Sequence, residues 1–410
     1  MSHVKPRVLL IVTQDTKEKE GRFLRRCLED GGCEVFHLDP SVRRTVGGAE
    51  ISPEQVASAA GSTLEEIRAI GHEGKIQEKM IAGATKLALD LHARVGLSGI
   101  LSIGGSMGTT MGTAVMRAFP YGVPKMMIST LASGFTAGFV GLKDIAMLNA
   151  VCDIAGINSI SSEVFRNGAA GLAGMAHVYK PSPADGRPLV LVSTLGTTEF
   201  AARHVRESLE GDGYEVMVFH TTGTGGRTLD ALAAERNVVA IIDMSLVEIN
   251  DFLHEGVCSA GPERALAGLK RGIPIVMAPG NADFYVMPSP MAVGESPFEG
   301  RRFHIHNAAL TAVRTTEADL ELFADHLARI LADAKGPVHF FIPLHGFSSH
   351  DSPAGRIYEP TFPPRFAEYC KKSFPPNVNL KVLSAHINDP AFADAMVDTV
   401  RRLTRPVAIS

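Results

Sequence analysis

A strand–helix–strand unit occurs twice in this sequence, and the repeat limits the fold more than any other feature. The first copy begins with the apolar run "VLLIVT" (Val8 to Thr13), continues through a helical pattern from Asp15 to Asp30, stops at Gly31 and Gly32, and ends in "CEVFHLD". The second copy, "LVLVSTLGTTEFAARHVRESLEGDGYEVMVFH" (Leu189 to His220), lies 181 residues later. Continuous apolar runs followed by amphipathic helices are typical of buried parallel strands. The sequence therefore predicts a duplicated α/β architecture.

A second pair of segments supports the duplication. "YGVPKMMIST" (Tyr121 to Thr130) and "RGIPIVMAPG" (Arg271 to Gly280) share a Gly, a β-branched residue, a Pro, an apolar strand and a small-residue loop. Between the copies, "YKPSPADGRP" (Tyr179 to Pro188) has the composition of a linker. We predict two doubly wound parallel-sheet, Rossmann-like domains of related topology, residues 1–183 and 184–410, that face a cleft.

Composition limits the classes of function. Apolar residues make up 45% and charged residues 20%, and the net charge of −4 gives no basic footprint for nucleic acid. No apolar run approaches the length of a membrane span, and the amino terminus does not resemble a signal peptide. The five cysteines form no C-x-x-C pair, which favours reduced thiols over a disulfide framework or a zinc site. We expect a cytoplasmic protein with no membrane or nucleic-acid partner, and no dedicated protein metal site.

The loop "LSIGGSMGTTMG" (Leu101 to Gly112) follows an apolar run and opens a helical pattern. Its glycines and small hydroxyl residues would expose backbone N–H groups to a phosphate or carboxylate. The alternative is a tight turn whose glycines serve packing alone. Neither alternative is excluded by the loop itself.

Other polar loops should gather at the same kind of place, because ligands of open parallel sheets bind at the carboxyl ends of the strands. In the first half these loops are Gln14 to Lys17, Gly104 to Thr110 and Ser129 to Gly134. In the second half they are Gly196 to Thr198, Thr221 to Arg227, Ser245 to Glu248 and Pro279 to Asp283. Two small, hydroxyl-rich loops and one that carries Asp15 and Lys17 suit a phosphorylated ligand.

Several familiar motifs are missing from these loops. No G-x-G-x-x-G follows the first strand, the glycine loop lacks a P-loop Lys, and no G-x-S-x-G occurs. "GFSSHD" carries Ser348 without a second Gly. His345 and His350, near Asp351, could be ligands or acid/base groups, although loop histidines without a defined partner are more often structural.

Long motifs carry a resemblance to a known family. "SIGGSMGTTMGTAVMRAFPYGVPKMMISTLASG", "DIAMLNAVCDIAGINSISSEVFRNGAAGLAGM", "GYEVMVFHTTGTGGRTLDAL" and "GPVHFFIPLHGFS" are similar to an uncharacterised bacterial and fungal family that also supplies the amino-terminal half of the tomato mosaic virus resistance protein. That family is described as a Tm-1-like ATP-binding domain. The resemblance covers essentially the whole chain and implies ATP, with Mg²⁺, bound in the first domain.

The resemblance also implies the nucleotide-binding residues. The matching positions are Asp15, Thr16, Lys17, Gly104, Gly105, Ser106, Gly108, Thr109, Ser129, Thr130, Ser133 and Gly134. Met107 stands where the family usually has Gly, Phe135 replaces a usual Asp, and "GTTEFAA" replaces a Gly-x-Thr-Thr-Pro-Cys pattern. We therefore expect the pockets of this member to differ in detail.

Roles can be assigned as hypotheses. The N–H groups from Gly104 to Gly108 would cradle phosphates, with hydroxyl donors at Ser106 and Thr109. Lys17 would neutralise charge and Asp15 would hold Mg²⁺ through water. The alternative for Asp15 and Lys17 is a helix start with Asp15 as N-cap.

In the second domain, a small acidic substrate would meet glycine N–H groups and arginines. The predicted substrate-binding residues are Gly223, Gly225, Gly226, Arg227, Arg264, Asn307 and Arg314. A plain turn is the alternative for the glycines, and a surface salt bridge is the alternative for Arg314, whose fork could clamp a carboxylate.

Two functions remain from the sequence. The first is an ATP-dependent enzyme that acts on a small carboxylate or sugar acid in the interdomain cleft. The second is a nucleotide-controlled protein that recognises a macromolecular partner. We expect a homo-oligomer, a dimer, in either case.

Overall fold

The computed structural model of the chain describes residues 5–181, 186–290, 298 and 300–404. The polypeptide forms two compact units, Met1–Pro183 and Ala184–Ser410, called unit 1 and unit 2 below. The predicted linker spans this boundary, and residues 182–185 lie outside the described residues. Each unit contains a parallel sheet with helices packed against it, which confirms the α/β class and the two parallel sheets.

The sheet of unit 1 is parallel throughout and has the order β2-β1-β3-β4-β5. The strands are β1 (Arg7–Ile11), β2 (Glu34–Leu38), β3 (Gly99–Gly104), β4 (Lys125–Ser129) and β5 (Ala146–Asn149). The helices are α1 (Gln14–Asp30), α2 (Pro53–Ala59), α3 (Leu64–Ala69), α4 (Glu73–Val95), α5 (Ser106–Arg117), α6 (Ala137–Val140) and α7 (Ser159–Val178).

The core of unit 1 has two layers, one on each face of the sheet. Because successive strand residues point to opposite faces, Leu9 and Ile100 pack in the layer formed with α2, α4 and α5, while Leu10 and Leu101 pack in the layer formed with α1 and α7. The strands are therefore apolar on both sides, as their continuous apolar runs predicted.

Unit 2 repeats this order and extends it. Its large sheet is parallel, with the order β14-β13-β9-β8-β6-β7, so that β7-β6-β8-β9-β13 matches β2-β1-β3-β4-β5 of unit 1. The strands are β6 (Leu189–Thr194), β7 (Glu215–His220), β8 (Val238–Ser245), β9 (Ile275–Gly280), β10 (Phe284–Pro288), β11 (Phe303–Ile305), β12 (Leu310–Arg314), β13 (Val338–Pro343) and β14 (Val378–Leu383). The helices are a 3₁₀ turn (Gly196–Thr198), α8 (Glu199–Gly211), α9 (Thr224–Glu235), α10 (Val247–Leu253), α11 (Leu266–Arg271), α12 (Glu317–Ala332), α13 (Phe362–Ser373) and α14 (Pro390–Thr404).

An antiparallel sheet, β10-β12-β11, is inserted between β9 and β13. It has no equivalent among the described residues of unit 1, where the short helix α6 lies between β4 and β5. The sequence did not predict this insert, because β11 and β12 are only three and five residues long and carry no clear alternating pattern.

The glycine stops of the two repeats have the same geometry. Gly32 and Gly213 adopt φ of 82° and 89° after the first helix of each unit. The next residues, Cys33 and Tyr214, donate their N–H groups to the carbonyls of Leu28 and Leu209 at 3.0 and 3.1 Å. This pattern is a Schellman-type end, which favours glycine at the left-handed position. The predicted duplication therefore extends to individual hydrogen bonds.

No described helix is both long enough and apolar enough to cross a lipid bilayer. The five cysteines are all free thiols.

Candidate functional site

A cavity of about 410 Å³ lies in unit 1, at the carboxyl ends of β1, β2 and β3. In a sheet of this order the connections after the first and third strands run to opposite faces, which leaves a crevice between them. The cavity is lined by Thr13, Asp15, Thr16, Lys17, Pro40, Val42, Arg43, Glu73, Ile76, Gln77, Met80, Gly104, Gly105, Ser106, Met107, Gly108, Met111 and Asp153. Its volume falls within the usual range of small-molecule sites, about 300–1,000 Å³.

The glycines of the β3–α5 loop serve different purposes. A Cβ on Gly104 would lie 2.6 Å from the Cα of Gly108, so glycine is needed where the strand meets the helix. A Cβ on Gly105 would meet the Thr130 hydroxyl oxygen at 3.8 Å and nothing nearer. Packing therefore does not require glycine at position 105, where the missing side chain leaves the cavity wall open.

The start of α5 offers backbone donors to this cavity. Gly105 is the N-cap and provides no side-chain cap, and the N–H of Thr109 donates to the Gly105 carbonyl at 2.8 Å. The earlier N–H groups, from Ser106 to Gly108, precede that bond and have no intrahelical acceptor. Unpaired N–H groups and the positive end of the helix dipole together favour an anion at this position.

The other predicted nucleotide contacts lie outside the cavity lining. The Thr109 hydroxyl is fully buried and lies 2.6 Å from the Ser129 hydroxyl, which corrects its assignment as a phosphate donor. Thr130 lies beside Gly105, 3.8 Å from the position that a Cβ there would take. Ser133 and Gly134 are exposed. Of this loop, therefore, Ser129 and Thr130 lie against the glycine loop and the start of α5.

Asp15 is not the N-cap of α1, and this alternative was wrong. The helix begins at Gln14 with Thr13 as N-cap, and no side chain caps it. The Asp15 carboxylate instead accepts the N–H groups of Val42 and Arg43 at 3.3 and 3.0 Å. One oxygen of Asp15 therefore holds the β2–α2 loop against the cavity.

The N–H groups at the start of α1 are already occupied, in contrast to those of α5. Gln14 donates to the Asp39 carboxylate and Asp15 donates to the Ser41 hydroxyl, each at 3.0 Å. Asp39 is fully buried, and burial raises its pKa. Asp39 and Ser41 were not predicted from the sequence, although "DPS" directly follows a strand that neighbours β1.

Lys17 lies on the cavity wall in an irregular turn of α1. Its φ and ψ of −130° and 34° are not helical. Its ammonium donates to the backbone carbonyl of Ile154, in the β5–α7 loop. Glu20, which is almost completely buried, accepts the N–H of Gly156 from the same loop at 2.5 Å.

The remaining wall of the cavity was not predicted from the sequence. Its apolar members are Pro40, Val42, Ile76, Met80 and Met111, and its polar members include Arg43, Glu73, Gln77 and Asp153. Gln77 donates to the Met107 carbonyl at 2.7 Å, which ties α4 to the glycine loop. The four-residue spacing of Ile76 and Met80 marks one face of a helix, but the pattern does not show which cavity that face meets.

In unit 2 the "TTGTGGR" loop is a structural turn. The N–H groups of Gly223 and Gly226 donate to one oxygen of Glu248, at 2.7 and 3.0 Å. A Cβ on Gly225 would lie 1.8 Å from the His220 carbonyl oxygen. The predicted substrate contacts of these glycines need correction. The N–H groups of Gly223 and Gly226 are bonded to Glu248, and the space beside Gly225 is occupied by the His220 backbone. Arg227 is exposed and donates from Nε to the Gly223 carbonyl at 2.8 Å.

Arg264 is also structural, which corrects its predicted contact with substrate. Its side chain is 1% exposed, and its two terminal nitrogens donate to the Asp243 carboxylate at 2.8 and 2.7 Å. Its Nε donates to Glu248 at 2.8 Å, and an Asp230 oxygen lies 3.7 Å away. Burial raises the pKa of Asp230 to about 6. Three of its five N–H groups donate to Asp243 and Glu248, and three acids surround the buried guanidinium, so Arg264 is held in the fold and is not presented to a ligand.

Arg314 is buried beside two acids, so the surface salt-bridge alternative was wrong. It is 4% exposed, and its Nη1 lies 3.1 Å from Asp351 and 3.8 Å from Asp283. Its guanidinium stacks 5.1 Å from the Phe362 ring centre and makes no well-oriented hydrogen bond to a described residue. Burial, and then the Asp351 charge, raise the pKa of Asp283. The Ser348 hydroxyl donates to Asp283 at 2.7 Å.

The remaining polar residues of interest in unit 2 have local partners. Asn307 accepts the N–H groups of Ala309 and Leu310 at 2.8 and 2.9 Å, so it shapes the β11–β12 turn rather than a substrate site. His345 is exposed and lies 3.3 Å from the Ser384 hydroxyl. Burial lowers the pKa of His350 to about 4. No group of three or more His, Cys, Asp or Glu side chains in the described ranges is arranged to hold a metal ion.

The position in unit 2 that corresponds to the unit 1 cavity is filled with polar side chains. The Ser245 hydroxyl lies 2.6 Å from that of Thr221 and 2.7 Å from the Asn281 amide oxygen. The Asn281 amide nitrogen donates to the Thr197 hydroxyl at 2.5 Å. These loops meet at one edge of the sheet, as expected, but their polar side chains form hydrogen bonds with one another. Open space lies instead beside β6 and β7, in a cavity of about 440 Å³ lined in part by Arg203, Arg206 and His220.

Comparison with known proteins identifies the family. Two family models match the chain: the N-terminal domain of an uncharacterised protein family (UPF0261) over residues 6–181, and the C-terminal domain of that family over residues 187–404. The chain belongs to the UPF0261 family. A UPF0261 protein of Clostridium tetani is 35% identical over 395 residues, which cover 95% of this chain and 97% of the relative. A UPF0261 protein of Mesorhizobium japonicum is 34% identical over 392 residues, which cover 95% and 97%.

The UPF0261 match includes a plant relative. The ToMV resistance protein Tm-1(GCR237) of Solanum lycopersicum is 31% identical over 422 residues, which cover 96% of this chain and 55% of the tomato protein. The resemblance to the Tm-1-like family is therefore confirmed.

Proposed function

We propose that unit 1 binds ATP together with Mg²⁺ in the cavity at the carboxyl ends of β1 to β3. The observation that carries this proposal is the open start of α5: unpaired N–H groups and a glycine that packing does not require face a cavity with an apolar wall. The phosphates fit the α5 donors and the ammonium of Lys17. The base fits the apolar side chains of Ile76, Met80 and Met111.

The acids of the cavity suit a cation held mainly by phosphate and water. Asp15 uses one oxygen for backbone N–H groups, and Asp153 and Glu73 also line the cavity. Because Mg²⁺ is bound by few carboxylates and keeps several waters, a single acid at this wall is sufficient. When bound, the metal and nucleotide would supply an activated phosphoryl group.

Replacing Gly105 by Asp tests the site. The new carboxylate would enter the cavity beside the phosphates, and like charges in contact weaken binding by several kcal/mol, so we expect at least about a hundredfold loss of ATP affinity by calorimetry. Gly134→Asp is the matched control, because Gly134 is exposed and lies outside the cavity lining. Circular dichroism should show both variants folded. Equal affinity in the two variants would place the nucleotide elsewhere.

We further propose that the nucleotide serves a reaction on a small carboxylate or sugar acid. Among the residues predicted to bind an acid, Arg227 remains the best candidate, since it is exposed and only its Nε is used among the described contacts. Purified protein should be assayed for ATP turnover against pools of carboxylates. Stimulation that is lost in Arg227→Ala, with ATP affinity retained, supports the enzyme.

A nucleotide-controlled partner is the second candidate function. Phe135 and Val151 are 79% and 66% exposed, and each follows a strand of unit 1 at its carboxyl end. Under this proposal these exposed apolar side chains belong to the surface that a macromolecular partner contacts. The tomato relative is named as a ToMV resistance protein, which fits that class of function. Under this proposal no pooled acid stimulates turnover. A homodimer remains a prediction under either function.

A further inference from the structure

The β5–α7 loop, residues 150–158, is fastened to α1 by two side chains. Lys17 donates to the Ile154 carbonyl, and Glu20 accepts the Gly156 N–H at 2.5 Å. Glu20 is 3% exposed, so its contact is sheltered from solvent. Lys17 differs from Glu20 because it also lines the cavity.

The helix is distorted where Lys17 reaches the loop. Lys17 leaves the helical region, although no proline or glycine occupies that turn. Sharp irregularities in a helix have identifiable causes, and here a side chain that bonds a neighbouring loop accompanies the irregularity. The backbone at Lys17 thus departs from a regular helix at the residue whose side chain contacts Ile154.

The loop itself also has an unfavourable conformation. Val151 has φ of 65°, a left-handed conformation that is rare for a β-branched residue, and its side chain is 66% exposed. Two residues further on, Asp153 lines the cavity. The loop therefore forms part of the cavity wall and is held in a strained conformation that its contacts with α1 help to maintain.

We propose that residues 150–158 form a nucleotide-responsive loop whose conformation is controlled by Lys17. This inference rests on the proposed binding of ATP in unit 1. Without phosphate, the Lys17 ammonium bonds the Ile154 carbonyl. With phosphate in the cavity, the Lys17 side chain moves toward the phosphate oxygens and out of reach of the Ile154 carbonyl, so the loop is released at Ile154 while Glu20 still holds Gly156.

The direction of the change follows from charge. A hydrogen bond between an ammonium and an ionised phosphate is stronger than one between an ammonium and a neutral carbonyl. A ligand that offers Lys17 the better acceptor favours the released state by that difference in affinity. Release also removes one of the contacts that maintain the strained conformation at Val151.

Hydrogen–deuterium exchange of the full chain tests the inference, with calorimetry of ATP binding on the same samples. Loss of one ordinary hydrogen bond changes a local opening equilibrium by about fivefold, so saturating ATP with Mg²⁺ should speed exchange of residues 150–158 by about that factor. Lys17→Met should produce the same increase without ATP, and ATP should add nothing further. Lys19→Met is the matched control, since Lys19 is exposed on the same helix.

The possible outcomes separate this inference from the proposed function. ATP binding with unchanged or slower exchange of residues 150–158 would overturn the inference and leave nucleotide binding intact. No heat of ATP binding would refute the proposed function instead. If residues 150–158 exchange at the same rate in Lys17→Met as in Lys19→Met, the Lys17 contact does not hold the loop, and the inference is refuted whether or not ATP binds.

Discussion

Arg264 and Arg314 are both buried at the carboxyl edge of the large sheet in unit 2, yet their guanidinium groups have different surroundings. Arg264 forms hydrogen bonds with Asp243 and Glu248, whereas Arg314 lies near two acids with no well-oriented hydrogen bond to a described residue. A buried cation without hydrogen bonds is costly unless water or a ligand supplies acceptors. Arg264 is therefore a fixed part of the fold, while Arg314 retains unused donors.

Asp230 beside Arg264 should make the stability of unit 2 depend on pH. Its pKa rises from 3.8 in the unfolded chain to about 6 in the fold, so the folded state binds more protons between these values. Stability from this group is then lost as pH rises from about 4 to about 6, by at most roughly 3 kcal/mol, and is constant above that. Asp230→Asn removes this titration. Chemical denaturation at several pH values should show that the free energy of unfolding of the variant, relative to that of the parent chain, increases as the pH rises.

The exposed Asp333→Asn variant is the control for that experiment. The amide introduced by Asp230→Asn can keep an oxygen for the Ala265 N–H, which Asp230 accepts at 2.9 Å. A difference between the Asp230→Asn variant and the parent chain that does not vary with pH would show that Asp230 is ionised throughout in the fold.

The sequence predicted the cavity residues that follow strands, and failed for residues whose partners are distant. Gly105 and Lys17 come directly after strands, so their place at the sheet edge follows from the order of elements. Arg264 was predicted to contact an acidic substrate, but the acids around it, at positions 230, 243 and 248, come from three other elements. Hydropathy patterns carry no information on such pairings.

At the scale of elements, the repeated helix stops depend on left-handed glycines. An alanine at Gly32 or Gly213 would be forced to φ near +85°, which costs about 1–2 kcal/mol for a residue with a Cβ. We expect Gly32→Ala and Gly213→Ala to destabilise their own units by similar amounts in denaturant titrations.

Gly174→Ala is the opposite control for these variants. Gly174 lies inside α7, is exposed, and a Cβ there would meet no atom within 4 Å. Alanine in a helix interior is more favourable than glycine by up to about 1 kcal/mol, so this variant should gain stability. Destabilisation by Gly174→Ala, or neutrality of the Gly32 and Gly213 variants, would contradict the conformational argument.

Periodicity predicted the parallel strands and their helices, but not the insert of unit 2. The strands β1, β3, β6 and β8 are mostly apolar and almost completely buried, which is typical of strands covered on both faces. In contrast, β11 has three residues and β12 has five, too short for a clear alternating pattern. The pairing of β12 with β10 joins segments that are separated in the sequence, and hydropathy does not encode such contacts.

At the scale of the whole molecule, the two repeats differ in what occupies the same edge of the sheet. Unit 1 leaves a cavity there, while unit 2 fills the corresponding position with Ser245, Asn281 and Thr197. Each unit also has its own core clusters. Related topology therefore does not imply two equivalent ligand sites.

Calorimetric unfolding of the full chain should show this difference. Because each unit has its own core, we expect two transitions. ATP with Mg²⁺ at about one hundred times its Kd should stabilise unit 1 by about 2.7 kcal/mol and leave unit 2 unchanged. One transition should then move by roughly 5–10 °C. Gly105→Asp should abolish that shift, and equal movement of both transitions would contradict binding in unit 1 alone.

The antiparallel insert restricts how relatives of this chain can vary in length. It carries Arg314 to within 3.1 Å of Asp351 and 3.8 Å of Asp283, which belong to loops of the parallel sheet. A lineage that deleted residues 284–314 would keep two buried acids without a neighbouring cation, and an uncompensated buried charge is strongly destabilising. We therefore expect that a relative without the insert, whose second unit resembles the first, also lacks Asp283 and Asp351. The three residues should be inherited or discarded as one set.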